Sequence, residues 1–314
     1  MIDNLVYFMA KAVLAVMQAL PLLWIARLGR AGGAITFYAD ARHRRVALSN
    51  LHMCFGEKMS AREIRTLARE NFKRIGESFA CGVKTALMNF EDLEPHLSFT
   101  SPTLEQEIPG KRLPSVVVAI GHFGNFELYS RVAQALKSYR AVSTYRGLRQ
   151  PKLNGLLQKL RNRSGCEFFE RRTEGGALRR AMSQAGVLLG LLSDQNAGKR
   201  GLFLDFMGHK CSTTSAPAVY ALRYKCRLFV GICYRQRLGS WHIDLAQEIP
   251  THSAGKVRSL AAIMQEVNLH LEKAVRRDPA NWFWVHNRWK AARKATIPAV
   301  PEKSLATAAA FSKE

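Results

Sequence analysis

The chain has 314 residues, of which 47% are apolar, enough for one large α/β domain or two small ones with a sizeable core. A net charge of +23 indicates a polyanionic partner, either nucleic acid or an anionic membrane surface. The six cysteines form no CxxC pair and no zinc or disulfide spacing, which favours reduced core or surface thiols in a protein that faces the cytosol.

The N-terminus favours a membrane as that partner. From Leu5 to Ala26 the sequence is almost entirely apolar, long enough to cross a bilayer, although Lys11 and Pro21 weaken this interpretation. Several arginines follow the stretch and only Asp3 precedes it, so the positive-inside rule places the bulk of the protein in the cytoplasm. We expect residues 1–28 to form a membrane-anchoring helix; a buried or interfacial helix is the alternative.

The next elements are a helix and a loop-rich segment. Ser60 to Glu63 has the form of a capping box, and apolar residues continue behind it at helical spacing, which predicts a helix that faces the core. Pro95 to Pro114 is rich in loop residues and is expected to carry one short strand.

The segment from Ser115 to Leu128 has the strongest functional pattern. Its β-branched start predicts a buried parallel strand, Gly121 and Gly124 permit a turn, and helical spacing follows. This places His122 at the carboxyl end of a strand, where open α/β sheets bind ligands, and Glu127 on the first turn of a helix. Glu127 could hold one ring nitrogen of His122 while the other takes a proton from a hydroxyl. The alternative is a loop histidine and a favourable helix N-terminal charge.

After this segment, strands and helices alternate. The predicted strands are Arg140–Tyr145, 167–169, Val187–Leu192, and a hairpin of 228–234 with 241–245. The predicted helices are 151–163, 177–185, 216–224 and 257–275. The alternation predicts an α/β fold with a mostly parallel sheet flanked by helices, and the composition from residue 296 onwards predicts a disordered tail.

Three further stretches contain candidate functional residues. Ten Lys or Arg lie between Arg146 and Arg180, which indicates a solvated basic face or a site for a phosphorylated lipid head group. Asp194 and the residues after it lie at the end of a predicted strand. Their pattern indicates either a binding role or an Asx-type turn. The aromatic segment 281–290 indicates a packed C-terminal segment or an interfacial belt.

Competing catalytic motifs are missing from the sequence. No GxSxG nucleophile elbow, HExxH pair, P-loop or helix-opening GxGxxG is present. The absence of these motifs from the sequence argues against a serine hydrolase, a metalloprotease and a nucleotide-driven kinase.

Four blocks in order resemble a known family. Gly121 to Glu127 is similar to the motif of the glycerolipid acyltransferase superfamily, a histidine and an acidic residue separated by four others, and most similar to the branch that adds secondary acyl chains to lipid A. The segment 144–146 resembles the second block of that family. The segment 194–196 resembles its Asp-Gln-Asp block, with Asn196 in place of the second Asp, and 282–290 resembles its Trp-x-x-x-His-x-Arg-aromatic-Lys ending. Residues 203–208 match a further block only loosely.

The resemblance implies an acyltransferase domain in residues 29–295 that moves a fatty acyl chain from acyl carrier protein, or from acyl-CoA, to a hydroxyl of a lipid A precursor. His122 would be the general base and Glu127 its orienting carboxylate. The candidate substrate contacts are Asn125, Arg146, Asp194, Gln195, Arg171 and Arg288. No cofactor or metal is implied, nor is nucleic acid a partner; the expected location is the cytoplasmic face of the bacterial inner membrane.

Two alternatives to this function are kept. The same chemistry could act on a lysophospholipid, an ornithine lipid or an inositol mannoside, because acceptor choice depends on loops and pocket depth. The chain could also be a non-catalytic basic protein that binds a membrane or nucleic acid.

Overall fold

The computed structural model describes residues 2–101, 113–148 and 150–290 of the chain. The helices are α1 (Ile2–Ala19), α2 (Leu22–Ala39), α3 (Ala41–Phe55), α4 (Ala61–Leu87), α5 (Phe90–Leu93), α6 (Val132–Ala135), α7 (Pro151–Asn162), α8 (Gly175–Met182), α9 (Ala216–Arg223) and α10 (Leu260–Arg277). The strands are β1 (Leu97–Thr100), β2 (Val116–Ile120), β3 (Arg140–Tyr145), β4 (Glu167–Glu170), β5 (Val187–Leu192), β6 (Leu202–Phe206), β7 (His209–Thr213), β8 (Arg227–Arg237), β9 (Ser240–Ile249), β10 (His252–Ser253) and β11 (Lys256–Val257). The tail predicted from residue 296 lies outside the described residues.

A central sheet carries the fold. In the described part of the chain it has seven strands in the order β1-β9-β8-β2-β5-β3-β4. Strands β8, β2, β5, β3 and β4 run parallel to one another, while β9 is antiparallel to β8 and β1 follows the direction of β9. This confirms the prediction of a mostly parallel α/β sheet and places β2 in its interior.

Helices cover both faces of the sheet around β2. All five residues of β2 are buried, and they alternate between two core clusters: Val117 and Ala119 belong to one, and Val116, Val118 and Ile120 to the other. A strand covered on both faces is expected to be apolar without alternation, and β2 has this pattern. The continuous apolar run therefore places the carboxyl end of β2 in the interior of the protein.

The N-terminal apolar stretch forms two helices and not one. Helix α1 ends at Ala19 and α2 begins at Leu22, with Pro21 as the residue before α2. Proline lacks the N–H of a helix interior and disfavours helical geometry in the residue before it, which explains the break. Among the described residues, no helix is both long and apolar enough to span a bilayer. The predicted membrane-anchoring helix of residues 1–28 is therefore not supported.

Most of the predicted elements are present. Strands β3 and β5 have the predicted bounds, and a short strand, β1, lies in the described part of the segment from Pro95 to Pro114, of which residues 102–112 are outside the described residues. The capping box is confirmed, since the Ser60 backbone N–H donates to Glu63 Oε2 at 2.7 Å and the Glu63 N–H donates to Ser60 Oγ at 3.3 Å. The helix predicted after Gly124 differs, because a 3₁₀ helix over Phe126–Arg131 precedes the single turn α6. The β6–β7 hairpin was not predicted.

Candidate active site

The register of β2 and β5 brings His122 and Asp194 together. The two strands are parallel neighbours, and Ile120 is the register partner of Leu192. His122 lies two residues after Ile120, and Asp194 lies two residues after Leu192. Both residues therefore lie at the same point along the carboxyl edge of the sheet. The Ser193 N–H donates to the Ile120 carbonyl at 2.8 Å, which keeps the two turns in step beyond the strands.

Two hydrogen bonds join His122 to the Asp194 carboxylate. The imidazole Nδ1 lies 2.8 Å from Asp194 Oδ1, and the His122 backbone N–H donates to Oδ2 at 2.8 Å. Trp282 Nε1–H donates to the same Oδ2, also at 2.8 Å. Because an ionised carboxylate only accepts hydrogen bonds, Nδ1 carries the proton and Nε2 of the neutral ring is left as an acceptor.

The Asp194 carboxyl stays ionised although its side chain is only 1% exposed. Burial by itself would raise the pKa of Asp194, but attraction to His122 and the hydrogen bonds from His122 and Trp282 lower this pKa to about 2. Such an anion fixes the imidazole tautomer and stabilises the imidazolium that forms when Nε2 accepts a proton. The pair therefore has the geometry of a general base with its orienting carboxylate.

Aromatic rings hold the His122 imidazole from two sides. Phe283 stacks on it with ring centroids 5.7 Å apart, and Phe126 meets it edge-on at 4.9 Å. Gln195 Nε2 lies 3.3 Å from His122 Nε2, where its amide can donate to the free acceptor. The ring is thus fixed in orientation, with Nε2 on the side away from Asp194.

Glu127 does not occupy the place that the sequence analysis assigned to it. Its Oε1 accepts from Arg161 Nη2 at 2.9 Å, and the carboxylate on the His122 ring is that of Asp194. Arg161 is fixed further by the Tyr145 and Phe168 rings, whose centroids lie 5.9 and 5.3 Å from its guanidinium carbon. The 3₁₀ geometry of Phe126–Arg131 presents Glu127 to α7, while the neighbouring strand supplies Asp194.

A cavity of about 840 Å³ opens beside His122. One part of its wall is polar and contains Glu127, Arg146, Arg161, Arg171 and Gln195, together with His122. The other part is apolar and comes from the sheet face and α7; it contains Ile120, Ala141, Val142, Leu157, Phe168 and Leu188. A cavity whose wall is charged in one part and apolar in the other, here called the apolar chamber, suits a molecule with an anionic head and a hydrocarbon chain.

Residues 2–291 match the family model of bacterial lipid A biosynthesis acyltransferases. The match covers nearly the whole chain. It includes His122 and Asp194, which we call the dyad, the residues that line the cavity, and the C-terminal aromatic segment.

The chain belongs to this family. It is an acyltransferase of lipid A biosynthesis. A search of curated proteins found no match for the sequence.

Two of the predicted arginines are free to bind a ligand in the acyltransferase. Arg146 and Arg171 are exposed and line the cavity, and within the described residues neither guanidinium forms an ion pair or a hydrogen bond. Arg161 differs, since its guanidinium forms an ion pair with Glu127 and contacts two aromatic rings. The basic segment 146–180 therefore contributes two cations to the cavity wall, Arg146 and Arg171, that have no side-chain partner among the described residues.

Two predicted substrate contacts are buried and serve the fold. Arg288 is 0% exposed and donates to the carbonyls of Gln195 and Ser212 at 2.6 and 2.7 Å. Asn125 is also 0% exposed and donates to Thr85 Oγ1 at 3.2 Å. Neither residue lines the cavity. Arg288 holds the chain that presents Gln195, so its effect on the site is indirect.

Of the two alternatives kept for the 194–196 block, the structure contains the Asx-type turn, and the binding role stays a prediction. Asp194 bonds to His122 and does not line the cavity. Asn196 forms the Asx-type turn, because its Oδ1 accepts from the Gly198 N–H at 2.7 Å. The Asn196 backbone N–H donates to His286 Nε2 at 3.0 Å. Burial lowers the pKa of His286, which agrees with a neutral ring that accepts this bond.

Sequence analysis missed the roles of Trp282, Phe283 and Arg161. The aromatic segment was assigned to packing or to a membrane interface, and it is packed: Trp282, Trp284 and Trp289 are at most 1% exposed. An isolated bridge between Phe123 and Trp282 brings this segment alongside the His122 turn. The resemblance of residues 282–290 to a family block was the available indication of a role at the site.

Proposed function

We propose that this acyltransferase moves a fatty acyl chain from an acyl carrier protein thioester to a hydroxyl of a lipid A precursor at the cytoplasmic face of the bacterial inner membrane. The family supports the reaction class and the pathway. The apolar chamber supports a hydrocarbon donor, and the uncommitted arginines support an anionic partner. The strongly basic chain would also attract an acidic carrier protein.

In the proposed reaction His122 Nε2 takes the proton of the acceptor hydroxyl while the oxygen attacks the thioester carbonyl. The C–O bond forms, and the tetrahedral intermediate then breaks its C–S bond. The imidazolium returns the proton to the departing sulfur, so that a free thiol and an ester remain. Asp194 stays ionised throughout and stabilises the imidazolium, as its pKa of about 2 supports.

The remaining cavity residues would position the two substrates. Arg146 and Arg171 would bind a phosphate of the acceptor or of the donor's pantetheine arm, since guanidinium forms paired hydrogen bonds to phosphate oxygens. The Glu127–Arg161 ion pair would hold α7 against the cavity. No residue of α7 is buried, so this pair would help to hold the helix that forms one wall of the apolar chamber.

The single observation that carries the proposal is the His122–Asp194 dyad, whose imidazole lines the cavity. The test uses purified protein, an acyl carrier protein thioester and a lipid A precursor, with product detected by mass spectrometry. Wild type should add one acyl chain, and His122→Ala should fold normally and add none. A chain added equally by His122→Ala would contradict the proposal. Transfer only to a lysophospholipid, an ornithine lipid or an inositol mannoside would refute the proposed acceptor while leaving the dyad in place.

A further inference from the structure

The outward face of α2 is apolar along its whole length. Trp24, Leu28, Ile35 and Tyr38 are 55%, 56%, 68% and 56% exposed, and the small Ala31 lies between them. Their spacing of four, three, four and three residues places them within about 80° of one another around the helix. A soluble surface helix normally has polar residues opposite its buried face, and α2 has a second apolar stripe there.

Glycine contacts on the opposite face fix this orientation. Helix α2 packs closely on α4, where a Cβ added to Gly33 would lie 2.1 Å from the Phe72 carbonyl oxygen and one added to Gly29 would lie 2.6 Å from that of Gly76. Such contacts leave no room for α2 to roll about its axis. The exposed stripe is therefore held away from the protein core and cannot be buried by a small rotation.

Helix α1 also has a stripe of exposed apolar side chains. Val6, Met9, Val13 and Val16 are between 39% and 60% exposed and also fall within about 80° of one another. The α1 helix is tied to the rest of the protein at its end, where buried Lys84 donates to the Gln18 carbonyl at 2.8 Å. The N-terminal helices therefore present two apolar stripes on the same monomer, which is more than isolated exposed side chains would give.

Between Asp3 and Asp40 the charged side chains of the two helices have one sign. Residues 4–39 contain no Asp or Glu. The exposed Arg27 borders the α2 stripe, and its guanidinium lies 5.3 Å from the Trp24 ring. Arg69 lies similarly over Tyr38, at 5.6 Å. An apolar α2 stripe that contains Trp and Tyr, has arginines beside it and lies in a segment without acidic residues from 4 to 39 fits the interface of an anionic bilayer better than a second copy of this basic chain.

We propose that α1 and α2 lie in the plane of an anionic bilayer, with Trp24, Leu28, Ile35 and Tyr38 inserted below the head groups. This proposal deepens the proposed function, on which it rests for its lipid acceptor. Helix α1 contacts α7 through a hydrogen bond from Lys152 to Asn4, and α7 borders the catalytic cavity. Docking by these helices would therefore bring the cavity close to the layer in which a lipid acceptor resides.

The tryptophans of the chain allow a direct test. Trp24 is 55% exposed, whereas Trp241, Trp282, Trp284 and Trp289 are at most 1% exposed. Full-length protein is mixed with vesicles of phosphatidylglycerol and phosphatidylethanolamine whose acyl chains carry bromine, a contact quencher, either near the head group or near the chain end. We expect quenching to be strongest with shallow bromine, because an in-plane helix inserts only ~5–10 Å. Trp24→Phe should remove this quenching while vesicle flotation persists.

Matched substitutions separate the stripe from general surface hydrophobicity. Leu28→Glu and Ile35→Glu should each weaken vesicle binding by about tenfold or more, since each replaces a large apolar side chain that enters the bilayer. Val257→Glu and Leu269→Glu are the controls, because these side chains are also exposed, at 63% and 48%, but lie on β11 and α10. The controls should bind like wild type.

Each of the other outcomes would overturn the proposal. These are strongest quenching with deep bromine, quenching that survives Trp24→Phe, equal loss in stripe and control variants, or a lipid-free dimer that Leu28→Glu dissociates. An acyl-transfer assay with detergent-dispersed acceptor keeps this result apart from the proposed function. Stripe variants should lose transfer on vesicles and keep it in detergent, whereas failure of the proposed function would remove transfer in detergent even for wild type.

Discussion

Replacement of Asp194 by Asn is the most informative change at the dyad. Two N–H groups, the Trp282 Nε1–H and the His122 backbone N–H, point at the Oδ2 position, each at 2.8 Å. An Asn side chain must therefore place its carbonyl oxygen there, because the reverse orientation would leave both buried donors facing an NH₂ group, at about 1–3 kcal/mol for each. The amide NH₂ then faces His122 Nδ1.

This orientation inverts the tautomer of the imidazole. Facing a donor, Nδ1 of His122 becomes the acceptor, and the ring proton moves to Nε2, where the base must be free. The variant loses its general base while the shape of the site is kept. Since a positioned general base contributes roughly 10²–10⁴-fold, kcat should fall by about that factor, or ~3–5 kcal/mol in activation free energy.

The assay is steady-state acyl transfer by wild type, Asp194→Asn and Glu127→Gln, with circular dichroism to confirm folding. Glu127→Gln should raise KM and change kcat by less than about tenfold, because Glu127 contacts Arg161 and not the His122 ring. Full activity in Asp194→Asn, or equal loss of kcat in the two variants, would refute the assignment of Asp194 as the orienting carboxylate.

The same substitution has a signature in stability against pH. The pKa of Asp194 is lowered from 3.8 to about 2 in the folded protein, so between these values the unfolded state binds more protons. The carboxylate therefore contributes about 2 kcal/mol to stability above pH 4, and this is lost as the pH falls through about 2. The difference in unfolding free energy between wild type and Asp194→Asn should shrink by that amount from pH 5 to pH 2, as measured by denaturant titration. A difference that does not vary with pH would contradict the lowered pKa.

Three further predictions concern the cavity and the N-terminal packing. Arg171→Ala should lower kcat/KM for a phosphorylated acceptor by about 10–100-fold, and by much less for its dephosphorylated form, since one charge-assisted hydrogen bond is lost. The control in the same kinetic assay is Arg172→Ala, because Arg172 does not line the cavity. Gly190→Leu should lower kcat/KM by about tenfold for the longest accepted acyl donor, relative to donors two carbons shorter. A Cβ at Gly190 would lie 3.6 Å from Ile120, and the rest of the leucine side chain would enter the cavity. An unchanged dependence of kcat/KM on donor chain length would contradict this. Gly33→Ala should lower Tm, since its Cβ would lie 2.1 Å from the Phe72 carbonyl oxygen, whereas Gly32→Ala, with no atom within 4 Å, should raise stability by about 0.5–1 kcal/mol.

The sheet could be predicted from sequence because its strands have simple patterns. Strands β3 and β5 were predicted with their observed bounds, and the position of His122 at the end of β2 is confirmed. Buried parallel strands are short, apolar and bounded by glycine or polar residues, all of which are local features. The fold class therefore needed no knowledge of long-range contacts.

The partner of His122 could not be predicted from local sequence. Glu127 is five residues away, whereas Asp194 is separated by 72 residues and reaches the ring only because β5 pairs with β2. Strand order is a property of the whole chain, and a local turn can point a nearby carboxylate elsewhere, as it does for Glu127. Sequence spacing thus favoured Glu127, whereas the carboxylate that bonds to His122 in the structure is that of Asp194.

The N-terminal stretch shows a second limit of sequence reasoning. Its apolar content suggested one anchoring helix, but Pro21 divides it and the glycine face of α2 packs on α4. Composition gives the total apolarity of a segment and does not show that one face of α2 belongs to the core and the other to the surface.

The most direct test of the central claim is mass spectrometry of lipid A from cells that lack this protein, complemented with wild type, His122→Ala or Asp194→Asn. The account predicts that lipid A lacks one acyl chain in the deletion and in both variants, and that wild type restores it. Lipid A that is unchanged by the deletion, or restored by His122→Ala, would contradict the claim that this dyad acylates a lipid A precursor.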